Sequence, residues 1–539
     1  MWHRDGHVVQ LPRQSLSRLP QAVYPMTRLA AASGAIVLLF VAIAFSFARV
    51  QSVWIDETTQ LSGLGLGFKE QLMWLLGQVN PVPGVPPDRM PPISYWLGSG
   101  WAALFGLNEM SMRVFGIVAL ACGAPAIVLS AQEMAGRGDA AKMALFALCG
   151  VLLTPTILTQ AGEIRAYPVF LSLSAWAALA YVKAVRDRGG AWLFGLAVFS
   201  VLAAYTHFFG VVMAFSMWAS LLMCRLSMGG RVVPVLAGGI ASAVAMLGLV
   251  PFVLAALGVS SDVGDAPGLS DLLRDLARLA FRMQLHGVHL SSQLIAAAML
   301  AATGGLMLMA LHAVLLRSGS DARPIHPGFF VILPVLLGFG LQALVKLAVA
   351  SFDALAPHYS IWMVPLVALF LALPLSLSPW RRLASALALV IVASNLIADV
   401  ILLRHATAYT HGPGEWVSEF IENPADTVVI HDANANWGSV YFPVHYLTGG
   451  AVTQILRSPD TPDRLVLPDG LSPVEPRFVD RFGTHIHVRA ASLSSMDLAR
   501  RLGDPGDCGI VPMPTGDPAP KRIESRCAYE SATIAVQTR

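Results

Sequence analysis

Apolar runs of about 20 residues recur between residues 29 and 403, and this recurrence limits the fold more than any other feature. A run of that length with few charges crosses a bilayer as a helix, the one single-segment form whose backbone groups are satisfied without water. Only 13% of the 539 residues are charged, about half the share usual in a soluble domain. Spans are expected at 29–48, 113–132, 143–160, 166–183, 191–206, 208–224, 232–257, 291–316, 328–350, 360–378 and 384–403. The fold class is therefore mainly α, a polytopic membrane protein of about eleven helices. Basic residues are scattered over short loops rather than gathered in a patch, so no nucleic-acid partner is indicated.

Lys and Arg in short loops orient the bundle. With residues 1–28 inside, the inner connections hold Arg137 and Lys142; Lys183, Arg186 and Arg188; Arg225 and Arg231; Arg317 and Arg323; and Arg381 and Arg382. The basic leader with Arg4, Arg13, Arg18 and Arg28 is long and the first run is of spanning length, so that run reads as a retained signal anchor. The division is then a cytoplasmic basic segment 1–28, a membrane domain 29–403 with a long first outer loop 49–112, and an extracytoplasmic domain 404–539. This suits a multi-pass protein of a bacterial-type inner (plasma) membrane, with membrane lipids as constant partners. In the tail, DTVVIHD, AVTQIL, THIHVRA and CGIVPM read as strands and SLSSMDLARRLG as a helix, which suggests a small α/β domain. Cys122, Cys149 and Cys224 lie in apolar runs and read as packing residues, whereas Cys508 and Cys527 are near enough in sequence to bridge.

In the first outer loop, QLMWLLG and ISYWLGSGWAALFG are apolar but too short to span. With Trp74, Tyr95, Trp96 and Trp101 they read as helices lying at headgroup level. LSDLLRDLARLAF, after residue 268, reads as another surface helix.

Polar groups gather at the outer rim. Asp56 and Glu57 follow the first span; either they form an interfacial charge pair, or one is a general base for a membrane-embedded substrate. Glu163 and Arg165 lie in TQAGEIRAYP, where a local salt bridge is the plainer reading. Thr206 and His207 lie in AYTHFFG, His358 and Tyr359 in ALAPHYSIWMVP, and Lys346 near the outer end of its span, from which it could also snorkel to headgroups. An ionisable side chain at mid-bilayer costs about 2.5–3.5 kcal/mol on insertion scales. Several at one level, on separate connections, point to a polar cavity open to the outer leaflet. No metal cluster is read near the rim; His485 and His487 share one face of a tail strand, and Asp432, Asn434, Asn436 and Trp437 read as a turn.

WIDE, then PPISYWLGSGWAALFGLNEMSMRVFG, QAGEIRAYP, YTHFFG and HYSIWMVPL, in that order and on one side of the membrane, resemble the GT-C type glycosyltransferases that use polyprenyl-phosphate sugars. That group includes protein O-mannosyltransferases and the lipid A aminoarabinose and galacturonosyl transferases. The likeness covers residues 29 to 378. It implies an inverting transfer on the outer face to an acceptor hydroxyl of a lipid, glycan or protein. Asp56 matches the base, with Glu57 supporting it or engaging substrate. Arg165 matches a cation near the donor phosphate, and a guanidinium suits that role because it binds phosphate through two parallel hydrogen bonds. His358 stands where many relatives carry Arg, and Met90 where some carry Lys; Lys346 or Arg113 would compensate. Glu163, His207 and Tyr359 complete the expected substrate surface. No cofactor is required, since a lipid phosphate leaves readily, although a divalent cation could supply the positive charge. The competing classes are a transporter or flippase of lipid-linked substrates, which needs polar groups through the depth of the bilayer, and an anchored sensor whose tail binds a ligand.

Overall fold

The computed structural model describes residues 19–51, 53–79, 81, 87–135, 139–257, 293–317, 328–348, 354–377, 379–404, 427–432, 438–449, 451, 453–457, 465–466, 485–491 and 532–538. Helix α1, Leu19–Ala48, crosses first. Three short helices of the long loop after α1, expected from sequence to be the first outer loop, follow: α2, Ile55–Leu64; α3, Phe68–Leu75; and α4, Ile93–Phe105. Helices α5, Glu109–Ala121, and α6, Ala124–Ala135, make one long span, which the Asn108 side chain caps by accepting from the Ser111 N–H. Next come α7, Ala140–Leu152, and α8, Pro155–Gly162, bent by 56° at their junction. Pro155 sits in the first turn of α8, where its missing N–H costs nothing. The chain continues through α9, Tyr167–Val185; α10, Gly190–Ala204; α11, Phe209–Met228; α12, Val233–Met246; and α13, Val250–Leu257. The last membrane helices are α14, Gln293–Arg317; α15, Phe329–Ala348; α16, Val364–Leu377; and α17, Arg381–Arg404.

Among the described residues, eight helices are long and apolar enough to cross a bilayer, or nine if the bent pair α7–α8 is one span. By length and composition this is fewer than the eleven expected. The regions expected at 191–206 and 360–378 form shorter apolar helices. At about 1.5 Å per residue, the 15 residues of α10 reach only about 22 Å. The expected surface helix after residue 268, the tail helix after residue 491, CGIVPM, Cys508 and Cys527 lie outside the described residues.

Helix α9 is the most enclosed span, packed by α5, α6, α10 and α11. Its neighbours supply the main core, with Phe170, Tyr181, Phe330, Trp362 and Phe370 fully buried. α1 belongs to this bundle: Phe40 and Ala44 are buried, and it packs on α5, α7, α8 and α17.

The outer-loop helices form a layer over one end of the bundle, with its own cluster of Val53, Leu61, Leu64, Trp74, Leu75 and Ile164. Trp74 and Tyr95, read from sequence as headgroup-level aromatics, are fully buried in this cluster in edge-to-face contact at 5.9 Å. These two aromatics pack down onto the protein, whereas Phe68 and Phe105 of the same layer are exposed. Gln71 Nε2 donates to the Gly63 carbonyl at 2.9 Å and to Ser99 Oγ at 3.0 Å, and the Ile93 N–H donates to Tyr205 O at 3.0 Å.

Beyond the bundle, β1, Thr427–Asp432, pairs in parallel with β2, Thr453–Arg457, and antiparallel with β4, His485–Ala491. With β3, Leu465–Val466, and β5, Ala532–Thr538, the sheet order is β3-β2-β1-β4-β5. Between β1 and β2 lies helix α18, Gly438–Leu447, which packs on α2 and sets Tyr446 against the outer-layer cluster. His485 and His487 lie on β4 and Asp432 ends β1; Asn434, Asn436 and Trp437 lie outside the described residues.

The outer layer closes tightly at Gly63, where an added Cβ would meet Trp74 Cζ3 at 2.1 Å and Tyr95 Cε1 at 2.7 Å. Gly63→Ala is expected to destabilise the protein by about 1–3 kcal/mol, seen as a lower thermal midpoint in detergent. Gly67→Ala, where nothing lies within 4 Å, should leave the midpoint in place.

Candidate active site

Consecutive residues on a helix point about 100° apart, so Asp56 and Glu57 in the first turn of α2 face different surroundings. Glu57 is fully buried. Its Oε1 and Oε2 accept from Nη1 and Nη2 of Arg113 at 2.9 and 3.0 Å, and Oε1 also accepts from the Ile164 N–H at 2.9 Å. Arg113, 2% exposed, additionally donates through Nη1 to the Gly162 carbonyl at 2.8 Å. This clamp joins α2, α5 and the turn between α8 and α9. Arg113, considered from sequence as a spare cation for the donor phosphate, is thus held by an acid and a carbonyl inside the protein. Gly116, one turn along α5, allows the close approach, since a Cβ there would meet the Ala161 carbonyl oxygen at 2.7 Å.

Asp56 lies on the open side, with 38% of its side chain exposed, and its Oδ2 is 3.1 Å from Arg165 Nη1. The clamp explains this meeting: Glu57 binds Ile164, and the next residue in each direction is Asp56 or Arg165. Arg165 Nη1 is also 4.0 Å from Asp88 Oδ1, and Asp88 Oδ2 accepts from the Tyr95 hydroxyl at 2.6 Å. Burial pushes the Asp88 carboxyl up, against the lowering effects of Arg165 and the Tyr95 hydroxyl. Burial acts to lower the Arg165 guanidinium, but Asp56, Tyr167 and Asp88 outweigh it and hold it above its usual value.

Beside Arg165, the Tyr167 ring lies 5.7 Å from the guanidinium carbon. The same ring is 5.3 Å from both His207 and His358, and Tyr359 is 4.2 Å from His358 and 5.7 Å from His207. Three separate connections thus meet in one aromatic and imidazole wall. His207 is buried, and Nδ1 accepts from the Phe209 N–H at 3.3 Å. Burial, with Arg165 and His358 adding to it, lowers His207 to about 3, so it is a neutral ring near pH 7. The Pro357–Tyr359 turn is fixed through Gln342, whose Nε2 donates to Tyr359 O at 3.1 Å and whose Oε1 accepts from Ser360 Oγ at 2.9 Å. Lys346, one turn along α15 from Gln342, is buried at that helix's last turn. Thr206 is buried and its hydroxyl returns to the Leu202 carbonyl at 2.8 Å. Glu163 accepts from Gln160 Nε2 at 2.7 Å; burial first, then Glu57, pushes it up to about 8.

Sequence reasoning missed Asp88 and Tyr167, and it gave Tyr95 only an interfacial part. The one signal for Asp88 was a carboxylate set among prolines in PVPGVPPDRMPP. Its neighbour Arg89 has φ of 51°, a conformation that side chains other than glycine adopt at a cost.

No protein-family model matches the chain, and none of the curated proteins matches it in sequence. Similar solved structures include ArnT from Cupriavidus metallidurans in the apo state, at 14% identity and a TM-score of 0.51, covering 80% of this chain and 94% of that one. The chain has the GT-C glycosyltransferase fold. ArnT bound to undecaprenyl phosphate is similar at 13% identity and a TM-score of 0.46, over 78% of this chain and 89% of that one. The Archaeoglobus fulgidus oligosaccharyltransferase in the apo form is similar at 12% identity and a TM-score of 0.41, over 73% and 58% respectively.

Removing one partner of a buried ion pair strands the other, at a cost of about 3–5 kcal/mol. Arg113→Met should therefore lower the thermal midpoint sharply, whereas Asp56→Asn should change it little. Equal effects would show that Glu57 and Arg113 do not form the clamp.

Glu163 predicts a slope in pH. Its folded value of about 8 exceeds its ordinary 4.5, so the folded chain keeps a proton that the unfolded chain has lost. Its contribution to stability falls as pH rises between those values and is level above them. Glu163→Gln should flatten that part of the midpoint-against-pH curve.

Proposed function

We propose that the chain is an integral-membrane glycosyltransferase, moving a sugar from a polyprenyl-phosphate donor to an acceptor hydroxyl at the outer face with inversion. The observation that carries this reading is the 3.1 Å pair of Asp56 and Arg165, partly open to water at the end of the bundle that the outer layer covers. Asp56 takes the proton of the attacking hydroxyl. Arg165 offers positive charge to the departing phosphate; a guanidinium has five N–H donors, so it can hold Asp56 and phosphate oxygens together. Glu57 and Arg113 position this pair. His207, His358, Tyr359 and Tyr167 make the wall against which the sugar lies, with Glu163 and Lys346 at its margins. The tail is a small extracytoplasmic α/β domain, and α18 carries its influence to α2.

A lipid-linked donor is supported by an apolar groove of about 640 Å³ between α11 and α12–α13, lined by Val211, Phe215, Trp218, Ile240, Leu247 and Val250 among others. Its volume falls in the range usual for ligand sites. The flippase reading draws on Asp399, buried in α17 with neither carboxylate oxygen hydrogen-bonded. Asp399 lies little more than one turn from the outer end of that helix, so it extends the rim rather than marking a path through the bilayer.

Purified protein in detergent, given a radiolabelled polyprenyl-phosphate sugar and an extract of envelope acceptors, should transfer the label without any ion gradient. Asp56→Asn should reduce the rate by about 100- to 10,000-fold, the usual contribution of a general base, with the thermal midpoint retained. Arg165→Ala should weaken donor binding more than acceptor binding. Undiminished transfer by Asp56→Asn would remove the assigned base.

A further inference from the structure

The opposite end of the bundle carries a second charged cluster that the proposed reaction does not use. Glu133, in the last turn of α6, is shared by three cations from the end of α9 and the turn after it. Lys183 Nζ pairs with Oε2; Arg188 Nε lies 2.7 Å and Arg186 Nη1 3.5 Å from Oε1. Arg186 also donates to the Glu133 backbone carbonyl. Arg225 of α11 is 3.0 Å from Asp187 Oδ1 and donates to the Ala184 carbonyl, so those two charges cancel. One carboxylate against three cations leaves a local excess of two positive charges.

The turn is shaped to bring those cations together. Asp187 has φ of 57° and Gly189 φ of 100°, two positive-φ positions within three residues, as a tight reversal between helices uses. The side chains of Arg186 and Arg188 remain 32% and 55% exposed. Lys183 lies 5.5 Å from the Trp192 ring centroid, at the start of α10. The cluster sits where membrane helices end, with a tryptophan at its side, which is headgroup level. Both arginines have N–H groups beyond those that Glu133 accepts, and a phosphate between them would be held by charge-assisted bonds.

We propose that this cluster is a site for the phosphate headgroup of an anionic phospholipid in the leaflet opposite the Asp56 site, held by Arg186 and Arg188 with Lys183 alongside. Glu133 keeps the three cations converged when the headgroup is absent. The site is independent of the reaction at the other end.

The test uses full-length protein in nanodiscs of phosphatidylcholine, alone or with increasing phosphatidylglycerol, read by thermal midpoint and by native mass spectrometry of retained lipid. Phosphatidylglycerol should raise the midpoint of the parent. R186Q/R188Q should bind it roughly 30-fold more weakly, at about 1 kcal/mol for each basic side chain near the headgroups. R381Q/R382Q removes the same charge from exposed positions at the start of α17 and should keep the parent's response. Equal losses in the two double variants would mean diffuse attraction to the whole face, and would overturn the site. The same midpoint gain from inorganic phosphate in detergent would also overturn it, since no lipid would be needed. Should R186Q/R188Q not fold, R188Q alone, at the most exposed of the three, should weaken binding roughly fivefold, and an unchanged affinity there would overturn the proposal.

Discussion

The Glu57–Arg113 pair is the interaction on which the Asp56 end of the bundle depends. Two charges taken out of water lose solvation worth several kcal/mol each, and mutual attraction repays that only with good geometry and further hydrogen bonds. Both conditions are met: the contact is doubly bonded, Glu57 takes the Ile164 N–H, and Arg113 takes the Gly162 carbonyl. The bonds reach residues 49 and 107 positions away in sequence, so the clamp also chooses which segments meet. Asp56 and Arg165 need no separate mechanism to find one another. Each is the chain neighbour of a clamped residue, and the pair inherits the clamp's register.

Around Arg165 the protein then sorts acids by environment. Asp88 and Glu163 are enclosed, and burial pushes both carboxyls up. Asp56 takes the water-facing place against the guanidinium. Different surroundings give neighbouring carboxyl groups different chemistry, the usual way in which one site separates a proton acceptor from groups that only shape it. The neutral His207 ring adds no charge to this balance, which leaves Arg165 as the cation in contact with Asp56 among the described residues.

Much of this was legible in the sequence, and the failures have physical causes. The order of WIDE, QAGEIRAYP, YTHFFG and HYSIWMVPL identified the segments that meet, because polar residues interrupting apolar runs are costly without a purpose. The separate partners of Asp56 and Glu57 were not legible: adjacent acids differ only through the neighbours that a fold supplies. Asp88 was hidden because its proline-rich loop has no periodicity to place it. Fewer helices of spanning length stand among the described residues than the eleven runs expected, because hydropathy registers composition and not continuity. The 56° break at Thr154-Pro155 and the short α10 are as apolar as a straight crossing. Trp74 and Tyr95 were misplaced for a related reason, since an aromatic side chain that suits a headgroup belt suits a buried seam between two protein layers equally well.

The position of Asp56 follows from three contacts on one ten-residue helix. The clamp holds α2 from beneath; Trp74, Tyr95 and Gln71 hold it from the side at Gly63; and α18 of the tail packs on it, with Tyr446 in the same cluster. A helix of that length has little stability of its own in water, so its geometry is set by these neighbours. The first two belong to the helical bundle and the loop after α1. The third belongs to a segment nearly 400 residues further along the chain. A displacement of α18 would change the packing of the helix that carries Asp56. The tail thus bears on the helix that carries Asp56 through the same cluster that seats Trp74 and Tyr95.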